Sequence, residues 1–275
     1  MSWREYENIM EYFTLNNGVR MPVIGFGTWD IRGKSGIRAL TDALETGYRL
    51  IDTAQMYDNE DIVGQAVRES GIPRRDIFIA TKLYRPSISY QKAKEGIERS
   101  LNEQQTDYID LLLIHEPYEN ALEMYRAFRE AYQDGRIRAI GISNFGIKQY
   151  ERFLKDCKIV PAVNQVESHV YYSQLELKEL LNSHGTQMQS WASFTEGRKN
   201  IFAEPLLLDI GAKYHKTSGQ TALRYLIQNG IAVIPKSVHK ERMKENLDIL
   251  DFELSRDDMK QISRLDGGRS LFGWY

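Results

Sequence analysis

Asp52, Tyr57, Lys82 and His115 are a carboxylate, a phenol, an amine and an imidazole, and each lies at or just past the end of an apolar run. The runs cover residues 48–53, 77–83 and 108–114 and have the composition of β-strands. A lysine at the end of an apolar strand is costly if charged and unpaired. Asp52, on a neighbouring strand end, can pair with it, and Lys82 can then approach the Tyr57 hydroxyl. A free tyrosine titrates near ~10 and is a poor acid at neutral pH. A nearby ammonium favours the phenolate and is expected to lower that value. Tyr57 then becomes a candidate general acid for a developing alkoxide, with His115 donating a hydrogen bond to the same oxygen. That chemistry suggests carbonyl reduction. Each residue alone also has a plain structural reading: an interior ion pair, a loop aromatic, a satisfied core histidine. The combination at successive strand ends sets the four apart.

The elements that must position them alternate between strand and helix. Apolar strand candidates fall at 23–29, 48–53, 77–83, 108–114, 137–144, 162–166, 188–192 and 232–235. Helical stretches lie between them, at 34–45, 91–102, 121–134 and 174–183, with Gly135 and Gly185 where helix stops are expected. Near-continuous apolar strands imply a sheet covered on both faces. Eight such units favour a closed α/β barrel of the (β/α)8 TIM type, whose chemistry gathers at the C-terminal strand ends. Asn17-Gly18 signals a hairpin before the first barrel strand, expected to plug the barrel floor. A longer insertion at 195–217 should hold a helix from about Glu204 to His215, and a further helix should start within 237–250.

The 275 residues suit one such barrel, and the whole chain, 1–275, is expected to be a single domain. Acidic and basic residues nearly balance, 38 against 36, which gives no indication of a nucleic-acid or polybasic membrane surface. The single cysteine, Cys157, excludes an internal disulfide and a cysteine metal cluster. The polar N-terminus is unlike a signal peptide, and no apolar run approaches the ~20 residues needed to span a bilayer. A cytoplasmic location and a monomer are expected. No histidine–carboxylate spacing suggests zinc, so no metal is expected. Gly25-Phe26-Gly27 lacks the register of a dinucleotide fingerprint, and its glycines are expected to permit close packing at the first strand's end.

In their contexts these residues resemble the aldo-keto reductase superfamily over 18–267, most closely its short-tailed bacterial type, similar to 2,5-diketo-D-gluconate reductases. The resemblance is carried by Asn17-Gly18-Val19-Arg20-Met21-Pro22 with Gly25-Phe26-Gly27-Thr28-Trp29, and by Asp52-Thr53-Ala54 followed by Tyr57. It continues through Thr81-Lys82-Leu83, Leu113-Ile114-His115, Gly141-Ile142-Ser143-Asn144-Phe145 and Pro161-Ala162-Val163-Asn164-Gln165. The last segment is Ile234-Pro235-Lys236-Ser237 with Arg242, Glu245 and Asn246. The resemblance implies a catalytic tetrad of Asp52, Tyr57, Lys82 and His115. It implies that Ser143, Asn144 and Gln165 hold a nicotinamide carboxamide and that Trp191 stacks on the ring. Lys236 and Arg242 are suited to a 2′-phosphate, which favours NADPH, with Ser237 in the same cofactor segment and Glu245 and Asn246 facing the adenine. Trp29, Tyr84 and Glu116 are candidate walls for a small carbonyl substrate.

The chain also departs from the family pattern. Ala192-Ser193-Phe194 stands where Ser-Pro-Leu is usual after Trp191, on a loop that implies cofactor contact. Glu116 stands where many members have tryptophan. Glu167-Ser168-His169-Val170 lacks the common His-Pro pair. The C-terminus, Phe272-Gly273-Trp274-Tyr275, is short, and Trp274 and Tyr275 are expected either to replace a longer tail or to pack on the barrel. The main expectation is NADPH-dependent reduction of an aldehyde or ketone. Two rivals are a barrel that binds NADPH with little turnover, as a sensor or accessory subunit, and a hydrolase or isomerase using Asp52 and His115.

Overall fold

A computed structural model describes residues 10–273. Trp274 and Tyr275, expected to replace a longer tail or pack on the barrel, fall outside the described residues. An antiparallel hairpin opens the described chain, β1 (Tyr12–Thr14) and β2 (Arg20–Pro22). Its turn closes with Leu15 N–H donating to Val19 O at 2.9 Å and Gly18 N–H donating to Leu15 O at 2.9 Å. Only Gly18 is left-handed there, at φ +84°, so the turn is a three-residue loop rather than a two-residue one.

Eight strands follow in parallel order: β3 (Phe26–Gly27), β4 (Leu50–Asp52), β5 (Phe78–Leu83), β6 (Leu111–Ile114), β7 (Ile140–Ser143), β8 (Val163–Glu167), β9 (Gln187–Trp191) and β10 (Ala232–Val233). The seam between first and last is closed by a parallel bridge, Ile24 to Val233, and by Gly25 N–H donating to Val233 O at 2.8 Å. The glycines at this point are required by contact. A Cβ on Gly25 would lie 2.4 Å from Leu50 Cγ, and one on Gly27 would lie 2.7 Å from Ile234 O. The barrel and its N-terminal hairpin match the sequence expectation.

Side chains alternate along each strand. Leu50, Phe78, Ala80, Leu111, Leu113, Ala139, Val163 and Ala232 fill the barrel interior, and Leu15 and Met21 of the hairpin close its floor in the same cluster. Ile51, Ile79, Leu83, Leu112, Ile140 and Ile142 point outward into the layer packed by the helices. The helices are α1 (Gly33–Thr46), α2 (Glu60–Glu69), α3 (Tyr90–Gln104), α4 (Ala121–Gln133), α5 (Ile147–Leu154), α6 (Leu175–Ser183), α7 (Pro205–Lys213), α8 (Ser218–Gln228), α9 (Lys240–Leu247) and α10 (Arg256–Ile262). Among the described residues, no helix is long and apolar enough to cross a membrane.

Candidate active site

The same alternation places Asp52, two residues after Leu50, on the inner face, and Lys82, two after Ala80. Both lie at the C-terminal end of the barrel, where a cavity of about 560 Å³ opens. Lys82 is fully buried and donates to Asp52 Oδ1 at 2.5 Å, Thr53 O at 2.9 Å and Tyr57 Oη at 3.4 Å. An ammonium has three protons, and these three acceptors use them all. Burial works against the Lys82 charge, but Asp52 and Tyr57 outweigh it and hold the amine above its ordinary range.

Tyr57 accepts from Lys82, so its own proton is available to the cavity it lines. The ammonium pulls its pKa down, as the sequence suggested, but burial is the larger effect and the net direction is upward. The phenol therefore keeps its proton at neutral pH. Trp29 meets Tyr57 edge-on at 5.0 Å, and His115 meets it from another side at 5.9 Å. Burial, reinforced by Lys82, lowers the His115 pKa to about 3, so the imidazole is neutral. Its Nδ1 is buried without a hydrogen-bond partner among the described residues.

Amide groups fix the far wall. Gln165 Nε2 donates to Asp52 Oδ2 and to Gln189 Oε1, both at 2.7 Å. Ser143 Oγ donates to Gln165 O at 2.8 Å, and Asn144 Nδ2 donates to His115 O at 3.1 Å. Asn144 is left-handed at φ +65°, a conformation asparagine tolerates better than most residues. Its Oδ1 accepts from Trp191 Nε1 at 2.8 Å. The loop after Trp191 completes the wall with Ala192, Ser193, Phe194 and Glu196. Ala192, Thr195 and Glu196 all have positive φ, which is strained for the β-branched Thr195.

The cavity thus gathers Trp29, Asp52, Tyr57, His115, Ser143, Asn144, Gln165, Trp191 and Lys236, with Lys82 directly behind Tyr57. Tyr84, Glu116, Ser237, Arg242, Glu245 and Asn246 do not line it. Arg242 is exposed on α9, and Glu245 accepts from Thr217 Oγ1 at 2.6 Å. Asn246 is buried and hydrogen-bonded to the Tyr48 side chain. Sequence reasoning passed over Asn59, which accepts from Thr53 Oγ1 and donates to Thr28 O and Ile31 O, tying the loops after β3 and β4 together. It also passed over Phe272 as a cavity residue. An asparagine just before a helix was a capping signal that could have flagged Asn59. No local signal marked Phe272.

A barrel with this constellation at its C-terminal rim defines a class of oxidoreductase. A model of the Aldo/keto reductase family matches residues 23–266, and the chain belongs to that family. It is 40% identical over 254 residues to the glyoxal reductase of Bacillus subtilis (strain 168), covering 92% of this chain and 91% of that protein. It is 36% identical over 260 residues to the methylglyoxal reductase DkgA of Escherichia coli (strain K12), covering 94% of each. The solved structure of an aldo-keto reductase complexed with NADPH superimposes with a TM-score of 0.89 at 34% identity, covering 95% of this chain and 89% of that one.

Proposed function

We propose that this protein reduces a small aldehyde or ketone to an alcohol with NADPH, Tyr57 being the proton donor. The observation that supports the reading is the three-acceptor arrangement of Lys82, which makes Tyr57 Oη an acceptor and leaves its proton free for a group in the cavity. The cavity wall fits the nicotinamide end of the cofactor. It offers hydroxyl and amide groups at Ser143, Asn144 and Gln165, an indole at Trp191 and a cation at Lys236. When bound there, NADPH would supply the hydride. Ser143, Asn144 and Gln165 would hold its carboxamide, with Trp191 as the aromatic wall beside the ring. His115, neutral, donates a hydrogen bond to the substrate oxygen and sets its angle. Tyr57 gives its proton to that oxygen as negative charge develops, and the adjacent ammonium of Lys82 stabilises the phenolate left behind. Asp52 keeps Lys82 charged.

The relatives named for glyoxal and methylglyoxal reduction, together with an aromatic wall of Trp29, Tyr57 and Trp191, favour small dicarbonyls as substrates. The test is a tryptophan-fluorescence titration with NADPH and NADH, followed by NADPH consumption with glyoxal and methylglyoxal. Tight NADPH binding with turnover is expected, and Tyr57→Phe should lose roughly 10²–10⁴ in rate. If Tyr57→Phe keeps more than about a tenth of wild-type activity, the proton-donor assignment is wrong.

A further inference from the structure

Glu167 ends β8, beside Trp191 in the strand register, and its side chain is fully buried. A buried carboxylate without partners is costly. Among its partners in the described residues, Ser270 Oγ donates at 2.5 Å, Leu271 N–H donates at 2.8 Å, and His169 Nε2 lies at 3.1 Å. Burial raises the pKa, but these hydrogen bonds outweigh it and the carboxyl is held below its ordinary range. Two of these partners, Ser270 and Leu271, come from the C-terminal segment, more than 100 residues away in sequence. The segment therefore supplies two of the hydrogen bonds that satisfy an interior carboxylate.

Ser270 Oγ also accepts from Phe272 N–H at 3.0 Å and Gly273 N–H at 2.9 Å, which curls the chain into a hook. Upstream, Gly267 N–H donates to Tyr171 O at 3.0 Å and Ser173 N–H to Asp266 Oδ2 at 2.9 Å. The hook sets Phe272 edge-on against Trp191, with centroids 4.9 Å apart and planes at 68°, and Arg198 caps Phe272 at 4.4 Å. Among the described residues, this ring and Asn144 Oδ1 are two of the groups that meet Trp191.

We propose that Glu167 is a positioning residue for the cofactor subsite: by docking residues 270–273 it sets Phe272, and Phe272 sets the Trp191 indole. The proposal rests on the reductase reading only for the identity of the ring that meets Trp191. An edge-to-face aromatic contact corresponds to roughly a three- to tenfold change in a dissociation constant. Ser270→Ala and Phe272→Ala should each raise the NADPH Kd by that factor. The double variant should be no worse than Phe272→Ala, because the latch acts through that ring. The Trp191 indole N–H resonance, read without cofactor, should move in Ser270→Ala, Phe272→Ala and Glu167→Gln. Amide exchange at Leu271 should quicken in Ser270→Ala and Glu167→Gln but not in Phe272→Ala. Should Glu167→Gln not fold, Ser270→Ala carries the test. The proposal is overturned if the resonance moves in Phe272→Ala alone, or if the two Kd effects multiply in the double variant. Absence of NADPH binding by the wild type sinks the reductase reading instead, and the indole resonance and Leu271 exchange still decide the latch.

Discussion

Neutralising the Asp52–Lys82 pair one residue at a time separates its structural from its chemical role. Lys82→Met leaves the buried Asp52 with the Gln165 amide alone, at 2.7 Å. Asp52→Asn keeps an acceptor oxygen but removes the charge that compensates the Lys82 ammonium, whose other acceptors are Thr53 O at 2.9 Å and Tyr57 Oη at 3.4 Å. Removing one partner of a buried pair costs roughly 3–5 kcal/mol. Each orphan here can shed its charge by changing protonation, which moves the cost toward the lower end. At about 2–4 °C per kcal/mol for a chain of this size, each single variant should melt roughly 6–20 °C early. Asp52→Asn/Lys82→Met leaves no uncompensated charge and should be more stable than the sum of the single effects, by about 1–3 kcal/mol. Its activity should not recover, because no ammonium remains beside Tyr57. Urea denaturation and NADPH consumption read the two properties separately. If the two stability losses add in the double variant to within about 0.5 kcal/mol, the pair is not coupled and the electrostatic argument for the site fails.

Three further outcomes follow from the same geometry. With its pKa lowered to about 3, His115 stays neutral through the working range, so a kcat/KM profile should show no limb near pH ~6.5; such a limb, absent in His115→Gln, would contradict the neutral imidazole. Glu60, buried against Thr81, Ser100 and Gln104, has a pKa raised by burial to about 7. An acid whose folded pKa is raised contributes stability below its unfolded value that is lost as pH rises through the folded one. Wild type should therefore lose up to about 3 kcal/mol between pH ~4.5 and ~7 relative to Glu60→Gln, measured by denaturation across that window, and parallel curves would refute the assignment. Asn59→Ala removes the three bonds that join the loops carrying Trp29 and Tyr57. It should cost about 2–4 kcal/mol and raise the substrate KM, and an unchanged KM would show that these loops hold their places without it.

The barrel was legible because interior and exterior faces alternate along strands whose residues are nearly all apolar. Boundaries were less so, since an apolar run outlasts the hydrogen-bonded ladder. Residues 23–29 share one composition, yet only Phe26 and Gly27 pair with β4, while Ile24 and Gly25 turn to Val233 across the seam. Helix α8 is buried nearly all round, Gln220, Thr221 and Arg224 included, so its polar positions do not mark a solvent-facing side. Its capping box, Thr217 with Gln220, was present in the sequence as a helix-start signal.

The site was legible where a residue type is committed to chemistry and sits at a strand end, which is why Asp52, Tyr57, Lys82 and His115 stood out. The direction of the Tyr57 shift was not, because it depends on whether burial or the ammonium prevails, and burial is a property of the closed barrel. The balance suits a donor better than the expected one: a phenol shifted far down would lose its proton before any carbonyl arrived. Glu167 shows the other limit. Its sequence neighbours mark only a departure from the family pattern, whereas its work is defined by Ser270 and Leu271, more than 100 residues away. A carboxylate at a strand end reads as chemistry when its partner is another strand end. When its partner is a tail, only the folded chain shows that the charge holds a hook, and that the hook holds the aromatic ring against which Trp191 rests.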